Sequence, residues 1–575
     1  MEKQLYLGNQ AVARGLYEGG CRVVSSYPGT PSTEITEYAA KYPELYSEWA
    51  PNEKVAMEVA LGASIAGARA FCGMKHVGLN VAADPLFTAS YTGVNAGLVI
   101  GVADDPGLHS SQNEQDSRHY ARAAKLPMIE PSDSDECLQF AKQAFALSEQ
   151  FDTPMILRLC TRIAHSCSLA ETGERENIPM RDYEKNPQKF VMMPSNAGPR
   201  HAAVEQRTDA LRQYAETTPL NRTEHTTGAK IGVITAGDCY TYAREALGDT
   251  AGYLKLGMVY PLPTKLILDF CAHYETVYVI EELDPFIEEH CRLIGAEVIG
   301  KSAFSLLGEY SSAIVKSAVL GETSEGLALE DKLPPRPPVL CAGCPHRGIF
   351  YILSKLKVRV SGDIGCYTLG ALPPLGAIDT VVCMGASVSG MHGMNTARPD
   401  WHKNSVAVIG DSTFIHSGVT GLIGIAYNKG NSTVVILDNS ITGMTGHQQN
   451  PTTGLTLKGD PTVSVNLEAL ARAVGINRVR VIDPANLTET EAALKEELAA
   501  DEPSVIIARR PCALLKTVKH APPLHVNEKC TGCKMCMKIG CPSIHLNGKN
   551  PEIEQTTCVG CGVCTQMCKF SAIQA

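Results

Sequence analysis

At 575 residues the chain is too long for a single core, and three or four domains are expected. Hydrophobic content of 44% against 19% charge excludes a disordered chain, and a net charge of −10 excludes general nucleic-acid binding, which needs a basic surface. Met1-Glu2-Lys3-Gln4-Leu5 opens no signal peptide and no apolar run is long enough to span a membrane, so a cytoplasmic location is expected.

Residues 1–190 alternate apolar, strand-like runs with small-residue helices such as 55–70. The turn Ser26-Tyr27-Pro28-Gly29-Thr30-Pro31-Ser32 is rich in proline, with Ser32 or Thr33 placed to cap the next helix. The helix that follows Asn52 carries two carboxylates, Glu53 and Glu58, the second of which reads as a solvated or structural group. The polar, proline-dotted stretch 186–227 reads as a linker or surface excursion. A second α/β block, 228–325, opens with the strand-like run at Ile231 and includes Val277-Tyr-Val-Ile280. The prolines at 334, 335, 337 and 338 mark a boundary, because proline stops both helix and sheet.

The third block, 335–518, opens with Cys341-Ala-Gly-Cys344 and continues through Cys366 and Met384-Gly385-Ala386-Ser387. Two buried-strand patterns then follow. Val406–Ile409 leads into Gly410-Asp411-Ser412, and Thr433–Leu437 leads into Asp438-Asn439-Ser440, with 418–428 between them as a crossover helix. A right-handed crossover places the carboxyl ends of two such strands side by side, so Asp411 and Asn439 would face one crevice. A carboxylate, an amide oxygen and a nearby carbonyl are hard ligands suited to Mg²⁺, with diphosphate oxygens completing the shell. Taken alone, Gly-Asp is equally a turn. Cys512 closes the block; Cys72, Cys160, Cys239 and Cys383, each isolated, read as small buried hydrophobes. Alternation of strands and helices in all three blocks implies parallel, doubly wound sheets.

Eight of the 21 cysteines lie in the tail, 522–575. They fall in two runs, Cys530-x2-Cys533-x2-Cys536-x4-Cys541 and Cys558-x2-Cys561-x2-Cys564-x3-Cys568. A reducing cytosol disfavours disulfides, so the pattern reads as metal ligation in an anaerobic setting. Zinc knuckles also use C-x2-C, but they spread two pairs over a longer loop; three cysteines at successive x2 spacings, twice, suit iron–sulfur cubanes better.

These runs resemble the bacterial two-cluster ferredoxin, in which the last cysteine of each run reaches the other cluster. The resemblance implies one [4Fe-4S] cluster on Cys530, Cys533, Cys536 and Cys568 and another on Cys558, Cys561, Cys564 and Cys541. The first run departs by one additional residue before Cys541. The stretch from Asp438 to Gln448, DNSITGMTGHQ, resembles a segment of the 2-oxoacid:ferredoxin oxidoreductases, as do 384–387, the turn at Thr30 and the 52–69 helix. Ser412 stands where the family's thiamine-diphosphate signature has glycine. By that resemblance Asp411 and Asn439 ligate Mg²⁺ through side chains and Ile441 through its carbonyl. Gly385, Ala386, Ser387, Ser412, Met444 and Thr445 line the cofactor. Glu53 takes the position of the carboxyl that meets N1′ of the aminopyrimidine, and Thr30 that of the hydroxyl near the bound 2-oxoacid. Cys341, Cys344, Cys366 and Cys512 match a third, cofactor-proximal cluster.

The domain order matches large subunits of the indolepyruvate (arylpyruvate) type. It implies a pyrimidine-binding domain, a transketolase-C-like domain, a diphosphate/Mg-binding domain and a ferredoxin-like domain. The implied activity is oxidative decarboxylation of an arylpyruvate to an acyl-coenzyme A, with electrons passed to ferredoxin and a small (beta) subunit as partner. Two alternatives remain within thiamine chemistry: another 2-oxoacid such as pyruvate or 2-oxoglutarate, or a non-oxidative decarboxylase with an appended redox module. A redox scaffold with a dead thiamine site is a third, against which Asp411, Asn439 and Glu53 stand intact.

Overall fold

Leu98–Asp104, Met155–Cys160 and Thr433–Asp438 are buried at every residue, as strands covered on both faces must be. In the computed structural model, which describes residues 2–323, 334 and 337–575, such runs build three open sheets. The chain divides into two units, Met1–Glu330 and Asp331–Ala575.

The first unit holds a seven-stranded and a four-stranded sheet. The central strands of the larger are parallel: Val23–Ser26 lies between Tyr46–Trp49 and Ala70–Lys75, followed outward by Leu98–Asp104 and Met155–Cys160. Helix Glu53–Ile65 begins after the Tyr46–Trp49 strand and is capped by the Asn52 side chain, which accepts from Val55 N (2.9 Å). It ends at Ile65, short of the sequence expectation, because Ala70 already belongs to a strand. The smaller sheet pairs Ile231–Thr235 in parallel with Ala251–Lys255 and Thr276–Ile280.

Three segments depart from the sequence reading. Residues 186–227 are not a plain linker, since Pro194–Ala215 is a helix of 22 residues and Arg222–Glu224 an antiparallel edge strand on Ala251–Lys255. That helix has no apolar stripe to read. Side-chain hydrogen bonds hold it instead, from Arg200 to Tyr91 O (2.6 Å) and from Arg207 to Ser90 O (2.9 Å) and Asp152 O (3.0 Å). Met258–Tyr260, from the second block, adds an antiparallel edge strand to the first block's sheet. Of the boundary prolines, Pro335 and its neighbour Arg336 lie outside the described residues.

The second unit is built on a five-stranded parallel sheet. Its order is Arg359–Ser361, Ser405–Gly410, Thr433–Asp438, Ser504–Arg509 and Arg478–Ile482. The tail adds two small antiparallel ribbons, His525–Val526 with Ile573–Gln574 and Ile544–Asn547 with Asn550–Ile553. The tail shares a hydrophobic cluster with the third block. Ile539, Ile544, Ile553, Val563 and Met567 pack in one cluster with Leu340, Ile349, Leu353 and Leu487. Among the described residues no helix is long and apolar enough to cross a membrane.

Arg118 ties the two sheets of the first unit together. It is fully enclosed and donates to Asp116, to Glu281 (2.5 Å), to Glu282 O (3.0 Å) and to Asp284 O (3.0 Å). Burial pushes the Asp116 carboxyl up, and the Arg118 guanidinium outweighs it, holding Asp116 below the usual carboxylate range. Arg118→Met leaves two buried carboxylates unpaired and should cost about 3–5 kcal/mol. Chemical unfolding followed by circular dichroism reads that loss. Arg122→Met, which removes an exposed pair with Glu289, a hydrogen bond to His119 and a contact over the Phe286 ring but strands no buried charge, should cost about 1 kcal/mol in the same experiment.

Candidate functional site

In the second unit four parallel strands deliver side chains to one edge. Asp363 follows Ser361, Asp411 follows Gly410, Asn439 follows Asp438, and Cys512 follows Arg509. The two middle strands are adjacent, with Gly410 opposite Leu437, so Asp411 and Asn439 enter the same crevice. The crossover between them is Asp411–Thr413, a π turn at Phe414–Gly418 and helix Val419–Tyr427.

The inward atom of the Asn439 amide lies 3.1 Å from Asp411 Oδ1 and 2.8 Å from Ile441 O. With nitrogen inward, the amide donates to both. With oxygen inward, three oxygens face one another with no proton between them, an arrangement that a cation stabilises. Burial, with Asp438 close by, pushes the Asp411 carboxyl up to about 7. A divalent ion would offset both effects, so the donor set fits Mg²⁺. The second carboxylate oxygen of Asp411 accepts from Thr452 Oγ1 (3.1 Å) and Asn450 Nδ2 (3.5 Å). Thr442 donates to Ser412 Oγ (3.0 Å), and Thr445 to Gln448 Oε1 (2.5 Å). Met444 is half exposed on the same loop.

Gly385, Ala386 and Ser387 start helix Ala386–Ala397, and a residue the sequence reading passed over holds them. Asp363, with no exposed surface, accepts from Gly385 N (3.0 Å), Ser387 N (2.9 Å) and its neighbour Ile364 N (2.9 Å). Gly385 has φ +86, and a Cβ there would meet Ser417 Cβ at 2.5 Å. The cue for Asp363 was its place just after a strand, in Asp363-Ile-Gly-Cys366.

Cys341, Cys344, Cys366 and Cys512 come together at the same edge. Burial pushes the Cys344 thiol up to about 12 and Cys366 up to about 11. Like charge adds to both effects, Cys341 and Cys366 acting on Cys344, and Cys512 and Cys341 on Cys366. Burial and Cys341 likewise raise Cys512. Cys512 N–H donates to Asn439 O (3.0 Å), and a Cβ on Gly443 would stand 3.3 Å from Cys366 Sγ. The thiol set thus abuts the loop that carries the oxygen site.

In the tail, Cys530, Cys533, Cys536 and Cys568 line one cavity together with Val526 and Phe570. Cys541, Cys558 and Cys561 surround Cys564, whose thiol burial and their like charge push up to about 12. The chain turns at Gly540, φ +66, and absorbs the additional residue before Cys541. Backbone N–H groups of Gly532, Leu524 and Ala572 donate to Cys530, Cys558 and Cys568 sulfur at 3.3–3.5 Å. Each set offers sulfur donors alone, the ligands that iron–sulfur clusters take. Cys72, Cys160 and Cys239 are buried as expected; Cys383 is exposed, because it sits in a surface turn before Gly385.

The first unit repeats the edge principle. Thr30 follows Val23–Ser26, Glu53 follows Tyr46–Trp49, and Lys75 ends Ala70–Lys75, three neighbouring strands. Glu53 is 4% exposed, and its carboxyl sits where any Cβ on Gly78 would be (2.6 Å). Glu58 is exposed and paired with Lys54. Ser32 does not cap the next helix, since its hydroxyl donates back to Gly29 O (2.8 Å). Lys75 went unread in the sequence. It is 9% exposed, donates to Ser110 O (2.8 Å) and runs past Gly29. Burial lowers it to about 8 against the pull of Asp105 and Glu53.

A family model described as "Pyruvate flavodoxin/ferredoxin oxidoreductase, thiamine diP-bdg" matches residues 14–226, and "Thiamine pyrophosphate enzyme, C-terminal TPP binding domain" matches 363–508. "Indolepyruvate oxidoreductase subunit IorA" of Archaeoglobus fulgidus is 40% identical over 615 residues, covering 100% of this chain and 97% of that one. The protein of the same description from Pyrococcus horikoshii is 40% identical over 631 residues with the same coverage. "2-oxoglutarate synthase subunit KorA" of Archaeoglobus fulgidus is 24% identical over 344 residues, 53% of this chain and 96% of that one. Matched along its whole length at this identity, and carrying two α/β thiamine-diphosphate-binding domains, the chain belongs to the indolepyruvate oxidoreductase IorA subunits of the 2-oxoacid:ferredoxin oxidoreductase family.

Proposed function

We propose that this chain is the large subunit of an enzyme that oxidatively decarboxylates indolepyruvate and related arylpyruvates to acyl-coenzyme A, with thiamine diphosphate and Mg²⁺, and passes the electrons to ferredoxin. A small subunit completes the enzyme. Residues 1–190 serve the aminopyrimidine, 335–518 the diphosphate and metal, 228–325 form a transketolase-C-like domain, and 522–575 carry two [4Fe-4S] clusters in a ferredoxin-like arrangement. One observation carries the reading: Cys512, of the proximal thiol set, donates its N–H to the carbonyl of Asn439, of the oxygen site. A decarboxylation site built against a set of metal-ligating thiols favours oxidation over simple decarboxylation.

Bound thiamine diphosphate supplies a carbon nucleophile and an electron sink for the carboxylate's departure. Asp411, Asn439 and the Ile441 carbonyl hold Mg²⁺, with Ser412, Met444 and Thr445 beside them and Asp363 fixing the Gly385–Ser387 turn that the cofactor meets. Glu53, shielded from water, is placed to meet the aminopyrimidine ring nitrogen and exchange a proton with it. Thr30 donates to the substrate, and Lys75 supplies the cation that a 2-oxoacid anion needs in a pocket already holding Glu53 and Asp105. Cys341, Cys344, Cys366 and Cys512 hold a proximal [4Fe-4S] cluster. Cys530, Cys533, Cys536 and Cys568 hold one distal cluster, and Cys541, Cys558, Cys561 and Cys564 the other.

Glu53→Gln should lower turnover at least ~100-fold while bound thiamine diphosphate stays near the wild-type level. C2-proton exchange followed by NMR is the direct measurement, and an unchanged exchange rate assigns the role elsewhere. Asp411→Ala removes the charged oxygen, so gel-filtered protein should retain no cofactor while its iron content holds; wild-type retention rejects the metal site. Anaerobic iron and sulfide analysis of active enzyme should find about twelve iron atoms per chain. A value of about eight would leave Cys341, Cys344, Cys366 and Cys512 as structural thiols.

A further inference from the structure

Arg347 lies in the first turn of helix His346–Leu356 and is 4% exposed. Its hydrogen bonds go to backbone carbonyls on two cysteine runs. Nε and Nη2 donate to Cys341 O (3.1 Å each), and Nη2 also donates to Leu340 O. Nη1 donates to Ile539 O (3.2 Å) and Gly540 O, the two residues before Cys541. No described carboxylate is among its partners. Burial draws the guanidinium's pKa down, and the groups that favour its charge are four sulfurs: Cys541, Cys344, Cys341 and Cys561. The Cys341–Cys344 segment also meets the second tail run, where a Cβ on Gly343 would fall 2.3 Å from Val559 Cγ2, beside Cys558.

A buried guanidinium without a counter-ion is costly, so an arginine kept here calls for negative charge at its side. Carbonyl dipoles answer its N–H groups but not its net charge. A thiolate-ligated cubane is such an anion, and a fixed cation beside it favours its reduced form, which carries one more negative charge. Arginine stays charged across the working pH range.

We propose that Arg347 is a positioning and potential-setting residue shared by two clusters, the proximal one on Cys341, Cys344, Cys366 and Cys512 and the tail cluster on Cys541, Cys558, Cys561 and Cys564. Its single charge raises the reduction potentials of both and leaves the third cluster, on Cys530, Cys533, Cys536 and Cys568, outside its reach. This rests on the cluster assignment proposed above.

The experiment uses the anaerobically purified holoenzyme, with Arg347→Gln, which keeps donors but loses the charge, and Arg347→Lys, which keeps the charge. Iron and sulfide are counted first, and each cluster is then titrated by redox potentiometry with EPR detection at two pH values. In Arg347→Gln two of three signals should shift, the reduced-to-oxidised ratio at fixed poise falling about tenfold, ~59 mV for one electron. The third signal should stay put, Arg347→Lys should move none by more than about threefold, and the shift should be the same at both pH values. Loss of iron from two clusters in Arg347→Gln, with Arg347→Lys intact, supports the same requirement for charge. Three unmoved signals, three equal shifts, or iron loss in both variants would overturn the inference, the last making Arg347 a hydrogen-bonded buttress. Wild-type enzyme with iron for fewer than three clusters overturns the cluster assignment itself, and the inference with it.

Discussion

Parallel pairing is the constraint on which the rest of the structure depends. When strands run the same way, their carboxyl ends fall on one edge, and every loop that leaves them starts from a fixed height. Val406 to Gly410 pairs residue for residue with Thr433 to Leu437, and Thr433 to Asp438 with Ser504 to Arg509. Asp411, Asn439 and Cys512 therefore emerge side by side although a hundred residues separate the first from the last. The same rule, applied to Val23–Ser26 and its two neighbours, groups Thr30, Glu53 and Lys75.

What the strands bring together, buried polar groups then hold still. Asp363 has its carboxylate satisfied by three backbone N–H groups, so the Gly385–Ser387 turn cannot drift without unpairing a charge. Gly410 lies where a Cβ would stand 2.6 Å from the Tyr367 ring, whose hydroxyl donates to Ile364 O, so the strand end and the Asp363 loop are locked to each other. Gly78 plays the corresponding part in the first unit, giving the Glu53 carboxyl room that any side chain would take. The carboxylates and glycines act as pairs, one supplying charge and the other clearance.

Much of this was legible in the sequence, and what was not has a physical reason. The strands announced themselves as continuous apolar runs, and the cysteines as spacings; Glu53 was set apart from Glu58 by the resemblance of the 52–69 helix to that of the family. Asp363 was missed because an acid that caps a turn through backbone N–H groups leaves no partner side chain to read. Lys75 was missed because it ends a strand of otherwise buried residues and looks like its solvated terminus. Helix Pro194–Ala215 carries two prolines and is held by arginines reaching back to carbonyls, so neither propensity nor periodicity betrays it. Edge strands Arg222–Glu224 and Met258–Tyr260 are three residues each, and pairing across blocks is not written in either segment alone.

The tail shows how shared packing changes the physical picture. Ile539, Ile544, Val563 and Met567 of the cysteine-rich tail pack in one cluster with Ile349, Leu353 and Leu487. Gln566 reinforces the join, donating to Ala485 O (2.7 Å) and accepting from Leu487 N (3.0 Å). A cysteine-rich segment on a flexible tether would sample many distances from the thiol set at the sheet edge. One that shares a core, with an arginine bonded to both cysteine runs, holds a single distance. Packing that at first looks like mere stabilisation of a small segment therefore also fixes the spacing between the two cysteine sets.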